Sequence, residues 1–378
     1  MRSAVIRQLH DRLGQATTLA DFDFRGNAIG FLRLLFAAVV VWSHAYGIGG
    51  FGGDPIYEFT RSQLIAGFLA VGGFFVLSGF LITRSYETVN TLGRFIWHRF
   101  LRIFPAYWVC LIVTAFVFAP VAFRHENGTL AGFLAGPDSP WSYITRNAWL
   151  VVTQDGIRGS LRHLPSPAAF NGSLWTLQWE FLCYVAVAAL GVAGVLRRNP
   201  VIIGIIAACF FGLGAFLTWR EPLPGMNVAG GIALLLAYFA VGSYAYSVRA
   251  KIPMNWALTI IATVALLIAL PTRAQAFVVL PCFAYLVLFT AMKLPIRSFD
   301  RRVDLSYGLY IYAYPVQQLL VLYGVAAFGL GPYFIAALAI ALSIAAGSWF
   351  GVERPALALK NAAVPPRAAA WLRSARVL

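Results

Sequence analysis

Long apolar segments alternate with short polar connections along nearly the whole chain. A helix needs roughly 17–25 residues to cross a bilayer. Ten segments have that length: 30–48, 64–83, 104–122, 175–196, 200–218, 228–247, 253–271, 274–292, 305–328 and 332–351. Proline or glycine stands at several of the joins, where such residues end a helix. The pattern therefore predicts an all-α bundle of ten transmembrane helices.

The composition agrees with this pattern. Of the 378 residues, 60% are hydrophobic and only 11% are charged, whereas soluble domains carry about 25% charged residues. The formal net charge of +15 would favour a nucleic-acid partner in a soluble chain. Here the basic residues lie in the short connections, as the positive-inside rule describes. We therefore expect a multi-pass membrane protein whose partners include membrane lipid and no nucleic acid.

Lysine and arginine also predict the orientation of the chain. With the N-terminus in the cytoplasm, the inner regions hold 21 of the 29 basic residues and the outer regions hold 7. Both termini are therefore predicted to be cytoplasmic. We divide the chain into a cytoplasmic N-terminal segment (1–29), a membrane domain (30–352) and a basic cytoplasmic tail (353–378).

Two regions outside the predicted spans stand out. In 92–104, apolar residues at helical spacing lie opposite Arg94, His98 and Arg102, which predicts an interfacial cytoplasmic helix. Such a helix either anchors the chain to lipid headgroups or forms a cationic entrance for a phosphorylated ligand. The outer loop 123–172 is too long for a simple connector, and such loops are usually functional.

Arg33 and His44 lie inside the first apolar segment, where an ionisable group is costly unless it has a partner or faces a polar cavity. They are eleven residues apart, so at about 100° per residue both side chains leave the helix on one face. Their separation along the axis is about 16 Å. The alternative is that each side chain only extends to the nearer membrane surface.

Glu180 is another charge in an apolar segment, about 7 Å below the predicted outer end of its helix near Trp175. His44 lies about 6 Å below the outer end of a helix that runs the other way. We therefore expect the two side chains at similar depth, where Glu180 would orient His44 for proton transfer. Arg33 would lie deeper and hold phosphate oxygens. Alternatively, Glu180 pairs with Arg33 or another group in a structural role.

Six motifs resemble those of membrane acyltransferase family 3, in the family's order and across nearly the whole chain. They are Arg33-x10-His44, Phe74–Ile82 (FFVLSGFLI), Arg99–Trp108 (RFLRIFPAYW), Ser173–Glu180 (SLWTLQWE), Ser306–Pro315 (SYGLYIYAYP) and Glu353–Pro355 (ERP). Any one of them would be weak evidence, whereas six in order are specific. The chain departs from the family at Ala313, where many relatives carry His, so a role for that position in proton handling is not expected.

The resemblance implies a ten-helix protein of the bacterial inner membrane. It would transfer an acyl group, usually acetyl, from cytoplasmic acyl-CoA to a sugar hydroxyl on a glycan or glycolipid at the outer face. Acyl-CoA is then a co-substrate, and we expect no permanently bound cofactor and no metal. The motifs assign His44 and Glu180 to catalysis and Arg33, Ser78, Arg99 and Arg102 to acyl-CoA binding. We assign Tyr46, His163 and Trp175 to acceptor binding.

From the residues alone, two other functions stay open. A transporter or flippase for a glycolipid or an acyl-bearing anion would use the same Arg33–His44 face, but it would move its substrate without cleaving a thioester. A non-catalytic subunit of an envelope-polysaccharide assembly would produce no turnover with any acceptor. Within the acyltransferase hypothesis, His44 is either a general base or a transiently acylated nucleophile.

Overall fold

The computed structural model describes residues 17–89, 91–166, 169–222, 228–296, 299 and 303–361. In these residues the regular structure is helical, apart from one isolated bridge between Thr18 and Pro253. Ten long helices follow in chain order: α1 (Ile29–Gly49), α2 (Ala66–Thr88), α3 (Leu92–Asn127), α4 (Trp175–Val192), α5 (Pro200–Arg220), α6 (Val228–Ser247), α7 (Trp256–Ala269), α8 (Gln275–Lys293), α9 (Ser306–Leu322) and α10 (Leu330–Ala358). Each coincides with one of the ten apolar segments.

Eight of these helices are long and apolar enough to cross a membrane, counted over the described ranges. The other two are α7, a shorter apolar helix of 14 residues, and α9, which has 17. Every residue of α9 from Ser306 to Gln318 is buried, so this helix needs no apolar face toward lipid. The prediction of an all-helical, multi-pass membrane protein is confirmed. The count of ten crossings and the cytoplasmic termini stay predictions, and residues 362–378 of the predicted tail lie outside the described part.

The structure has a single helix, α3, where the sequence suggested an interfacial helix followed by a separate span. α3 is 36 residues long and passes through residue 104 without a break. Its buried residues recur at helical spacing on both sides of that point, so no local signal ends the helix there. Pro105 and a π-helical turn over Thr114–Phe118 are accommodated within it. Arg99 and Arg102 therefore belong to a helix of the bundle.

The loop between α3 and α4, predicted to lie outside, is folded against α3. It contains a short helix, Pro140–Asn147. The Tyr107 hydroxyl donates to the carbonyl of Asn147 at 2.6 Å, and Trp108 Nε1 donates to the carbonyl of Ala148 at 2.9 Å. Because these bonds join the loop backbone to a buried face of α3, the loop has a defined position over the bundle.

Contacts between side chains fix the relative directions of four helices. α1, α9 and α3 run parallel, because residues that advance along one helix meet residues that advance along the next. The pairs are Arg33 with Asp304 and Val41 with Gln317 for α1 and α9, and Ile103 with Tyr307 and Cys110 with Ile311 for α3 and α9. α4 runs antiparallel to α3, since Phe104 meets Phe181 while Arg99 meets Tyr184. The helices of His44 and Glu180 thus run in opposite directions, as predicted.

α2 and α6 cross with their backbones in contact. A Cβ atom at Gly79 would overlap the carbonyl of Phe239, and one at Gly242 would overlap the carbonyl of Val76. Glycine at both positions permits this approach, as small residues do at many helix interfaces in membranes. The crossing sets the position of α2, which carries Ser78 one residue before Gly79.

Candidate active site

A cavity of about 350 Å³ lies inside the bundle, between α1, α2, α3, α4, α9 and the end of α10. Five of the residues that the sequence assigned to catalysis or acyl-CoA binding line it: Arg33, Ser78, Arg99, Arg102 and Glu180. His44 is not among the residues that line it. The structure therefore brings together the side chains assigned to the donor and places the imidazole outside their cavity.

Asp304, which the sequence analysis missed, joins two of the predicted arginines. Its Oδ2 lies 2.7 Å from Arg33 Nη1 and 2.6 Å from Arg102 Nη2. Its Oδ1 accepts from the backbone N–H and the hydroxyl of Ser306 at 3.1 and 2.6 Å. Burial raises the pKa of Asp304, but Arg102 and Arg33 outweigh it, so the pKa lies well below its usual range. One carboxylate thus holds arginines from α1 and α3 at the same depth.

Glu353 is a second acidic residue in this cluster. The sequence division placed it at the start of the tail, whereas the structure has it in a π-helical turn, Trp349–Glu353, within α10. It is 3% exposed, accepts from the Ser348 hydroxyl at 3.2 Å and lies 3.9 Å from Arg102. α10 therefore continues past residue 352, the residue at which the sequence division ends the membrane domain.

Arg99 and Lys360 supply positive charge that is less completely paired. The Arg99 guanidinium lies over the rings of Phe95 and Tyr184, with its carbon 5.9 and 5.8 Å from the two ring centroids. Its Nε is buried and has no hydrogen-bond partner in the described residues. Burial, together with Arg99 and Arg102, lowers the pKa of Lys360 to about 8. This end of the cavity is therefore suited to an anion, since phosphate oxygens would supply the missing acceptors.

Lys360 reaches the cavity because the end of the described chain folds back onto α3. Trp97 Nε1 donates to the carbonyl of Leu359 at 3.2 Å, and His98 Nε2 lies 3.2 Å from the carbonyl of Lys360. Two side chains from the region predicted to be interfacial thus hold the backbone that carries this lysine.

Glu180 forms its hydrogen bonds with neighbours in the cavity wall. Its Oε1 accepts from the Tyr184 hydroxyl at 2.5 Å and from the Ser78 hydroxyl at 3.2 Å. Tyr184 stands one helical turn after Glu180 on α4, and Ser78 is on α2. The Ser78 side chain therefore faces this carboxylate, and the expected contact between Glu180 and His44 is absent from the described structure.

His44 lies against Tyr314 of α9, with ring centroids 5.2 Å apart and the rings at 77°. Contacts along α9 give the depth of His44 relative to Glu180. Tyr310 is bonded to Thr176 of α4, and Tyr314 stands four residues, about 6 Å, further along α9. Glu180 stands four residues beyond Thr176 on the antiparallel α4, so it lies about 6 Å in the opposite direction.

His44 and Glu180 are therefore about 12 Å apart along the bundle axis, and the expectation of equal depth was wrong. That expectation assumed that α1 and α4 end at the same level. In the structure α4 begins near the level of Tyr310, about 6 Å from the level of His44. α1 continues beyond His44 to Gly49, so the two helices end at different levels.

The end of α1 that carries His44 is anchored on both sides. The Ser43 hydroxyl donates to Asp54, a buried residue that also accepts from the backbone N–H groups of Tyr57 and Ala66. Gln317 of α9 donates to the carbonyl of Val41 at 2.8 Å. These bonds hold α1 at Val41 and Ser43, just before His44, so the His44 backbone is held in place.

The three residues assigned to the acceptor do not form a cluster. Tyr46 packs against Trp42 at 5.3 Å between ring centroids, Trp175 is 36% exposed at the start of α4, and His163 is exposed in the loop. No hydrogen bond or ring contact joins them to one another in the described residues. Their assignment to acceptor binding stays a prediction.

Residues 27–350 match the family model described as an acyltransferase domain. The chain belongs to this acyltransferase family. It is therefore an enzyme that transfers acyl groups, and the family resemblance inferred from its motifs is confirmed.

Two curated relatives support the membership. An "O-acetyl transferase" of Shigella phage Sf6 is 28% identical over 314 residues, which cover 79% of this chain and 86% of the relative. "Nodulation protein 10" of Rhizobium leguminosarum bv. viciae is 27% identical over 369 residues, which cover 90% of this chain and 96% of the relative. No solved structure matches the chain significantly.

Proposed function

We propose that this acyltransferase is a multi-pass O-acyltransferase of the bacterial inner membrane. It moves an acyl group, most simply acetyl, from cytoplasmic acyl-CoA to a hydroxyl of an extracytoplasmic glycan or glycolipid. The observation that carries the proposal is the cavity, which has a cationic end at Arg99 and Lys360 and extends toward His44. Membership of the acyltransferase family and the relative named "O-acetyl transferase" support the reaction type.

In this proposal the donor enters at the Lys360 end of the cavity. Its phosphate groups bind Arg99 and Lys360, which form no ion pair with a carboxylate in the described residues, whereas Arg33 and Arg102 do. Arg33 and Arg102 contribute positive potential, with their orientation fixed by Asp304. The thioester end of the donor then passes Ser78 and Glu180 toward His44. Acyl-CoA is a co-substrate here and is released as free CoA.

His44 supplies the base for the transfer step. As a general base, its ring nitrogen takes the proton from the acceptor hydroxyl while that oxygen attacks the thioester carbonyl. The carbon–sulfur bond breaks, and the sulfur leaves as a thiolate that takes up the proton. As a nucleophile, the imidazole would carry the acyl group between donor and acceptor. Either route requires the acyl carbon to reach His44.

Substitution of His44 tests the proposal. Purified protein in lipid vesicles, given acetyl-labelled acetyl-CoA and glycan acceptor, should release CoA and label the acceptor. His44→Ala should abolish both signals, whereas His125→Ala should keep them because His125 contacts Tyr323 and does not line the cavity. Normal acceptor labelling by folded His44→Ala protein would contradict the proposed role of His44. Movement of a labelled glycolipid across the vesicle without CoA release would contradict the proposed reaction.

A further inference from the structure

Three of the residues that line the cavity lie between Glu180 and the level of His44. Tyr310 of α9 and Thr176 of α4 share a hydrogen bond between their hydroxyls, with the two oxygens 2.5 Å apart. Both residues are buried, at 8% and 4% exposure. Phe74 of α2 packs edge-on against Tyr310, with ring centroids 6.0 Å apart. We refer to Phe74, Thr176 and Tyr310 as the inner barrier.

The inner barrier is supported from the side of α1. Phe36 contacts Phe74 in an edge-on arrangement at 5.7 Å between ring centroids. All three residues of the inner barrier line the cavity, so they belong to its wall rather than to a distant packing layer. Because Tyr310 bonds a residue of another helix, the closed wall depends on one polar contact between α9 and α4.

His44 lies beyond this wall, beside Tyr314, about 6 Å further along α9. On the side away from the cavity, Tyr314 is covered by residues of the loop between α3 and α4. The Tyr314 hydroxyl lies 3.2 Å from the Ser166 hydroxyl, and a Cβ atom at Gly172 would overlap the Tyr314 ring. Two tyrosines one helical turn apart therefore separate His44 from the donor cavity on one side and from the loop on the other.

We propose that Tyr310 is a positioning residue that, bonded to Thr176, separates the donor cavity from His44 and must move for acyl transfer. The inference rests on the proposed function, because it assumes that an acyl group travels from the cavity to the imidazole. A hydrogen bond between two neutral hydroxyls changes an equilibrium by only about two- to tenfold. Such a contact opens thermally and still biases the wall toward the closed form.

The closed form has a chemical consequence. While the inner barrier is closed, the thioester is kept from His44, and the base cannot activate water against it. In the open form without acceptor, water attacks the thioester carbonyl, the carbon–sulfur bond breaks, the acid is released and the thiolate takes up a proton. Weakening the barrier should therefore increase acyl-CoA hydrolysis relative to acyl transfer.

The test uses variants that remove the shared hydrogen bond; Thr176→Val also removes the 3.3 Å contact of the Thr176 hydroxyl with the Ser173 carbonyl. Tyr310→Phe keeps the ring and loses the hydroxyl. Thr176→Val keeps the shape of the side chain and loses the hydroxyl that bonds Tyr310. Each should raise CoA release without acceptor about two- to tenfold and leave the KM for acyl-CoA unchanged. The double variant should match either single variant, because all three lack the same bond. Thr176→Ser, which keeps a hydroxyl, should behave like the wild-type protein.

Tyr107→Phe is the matched control, since it loses a buried tyrosine hydrogen bond of 2.6 Å at a residue that does not line the cavity. It should leave the ratio of hydrolysis to transfer unchanged. A wild-type ratio in folded Tyr310→Phe and Thr176→Val would overturn the inner barrier, as would fully additive effects in the double variant. Wild-type turnover that survives His44→Ala would instead overturn the proposed function and this inference together.

Discussion

Glu180 lies about 12 Å deeper in the bundle than His44, on a helix that runs in the opposite direction. The carboxylate belongs to the cavity that we assign to the donor, where it accepts hydrogen bonds from Ser78 and Tyr184. It does not contact the imidazole in the described structure. The Glu180 carboxylate and the His44 base therefore act at different depths in the protein. Substitutions of the two residues should affect the pH dependence of acyl transfer differently.

The first prediction concerns Glu180→Gln. Glutamine keeps an oxygen that accepts from Tyr184 and Ser78 but removes the charge. Because His44 lies about 12 Å away along the bundle axis, the pH profile of kcat/KM for acyl transfer should keep its wild-type position in this variant, even if the rate changes. The measurement is the profile between pH 5 and 9. A displaced profile would mean that the carboxylate acts through the imidazole.

The second prediction concerns the fold around Asp304. Asp304→Ala leaves Arg33 and Arg102 without their shared carboxylate, and breaking a buried ion pair costs about 3–5 kcal/mol. Thermal unfolding in detergent should therefore show a large loss of stability. Asp304→Asn keeps an acceptor for Ser306 and should lose less. Equal Tm values for wild type and Asp304→Ala would contradict the structural role of this carboxylate.

The same carboxylate gives a third prediction, about pH. The arginines hold the pKa of Asp304 below its value in the unfolded chain, so its contribution to stability is present above an unfolded pKa of about 3.9. It is lost only as the pH falls through the depressed pKa of the folded protein. The Tm difference between wild type and Asp304→Asn should therefore stay constant from pH 8 to pH 5. A difference that disappears already by pH 5 would refute this.

The fourth prediction separates two arginines of one motif. Arg99→Ala should raise the KM for acyl-CoA by about ten- to a hundredfold, as expected for a lost charge-assisted contact to phosphate, with little change in Tm. Arg102→Ala should lower the Tm as well, because Arg102 pairs with Asp304 and Glu353. KM and thermal unfolding, measured on the same preparations, check both. If Arg99→Ala lowers only the Tm, Arg99 has a structural role.

The fifth prediction concerns Lys360, whose pKa is lowered to about 8 by burial and by Arg99 and Arg102. A lysine loses its positive charge as the pH rises through its pKa, so binding of an anionic donor should weaken between pH 7 and pH 9. Lys360→Arg should bind with less dependence on pH, because arginine stays charged over this range. The measurement is the Kd of acyl-CoA at pH 7, 8 and 9. If the Kd of wild type and of Lys360→Arg depends on pH in the same way, Lys360 is not the group whose titration weakens acyl-CoA binding.

Several features of this protein were predictable because local sequence determines them. Apolar segments in a membrane form helices, since the backbone has no other way to satisfy its polar groups there. Each of the ten segments accordingly coincides with a helix. Arg33 and Glu180 were recognisable because ionisable side chains in apolar segments need a polar environment, and both line the cavity. Ser78, Arg99 and Arg102 were found through their motifs, and the acyltransferase family through the order of all six.

The tertiary structure alone decided how the helices are displaced along one another. That displacement comes from packing between side chains distant in sequence, such as Tyr310 with Thr176 and Phe104 with Phe181. It puts His44 beyond the cavity, although its distance along α1 from Arg33 was correct. It also brings Glu353 of the ERP motif to this cluster and recruits Asp304, whose position in a connection carried no local signal. Sequence determines which segments become helices and which charges need partners, whereas side-chain packing between helices selects those partners.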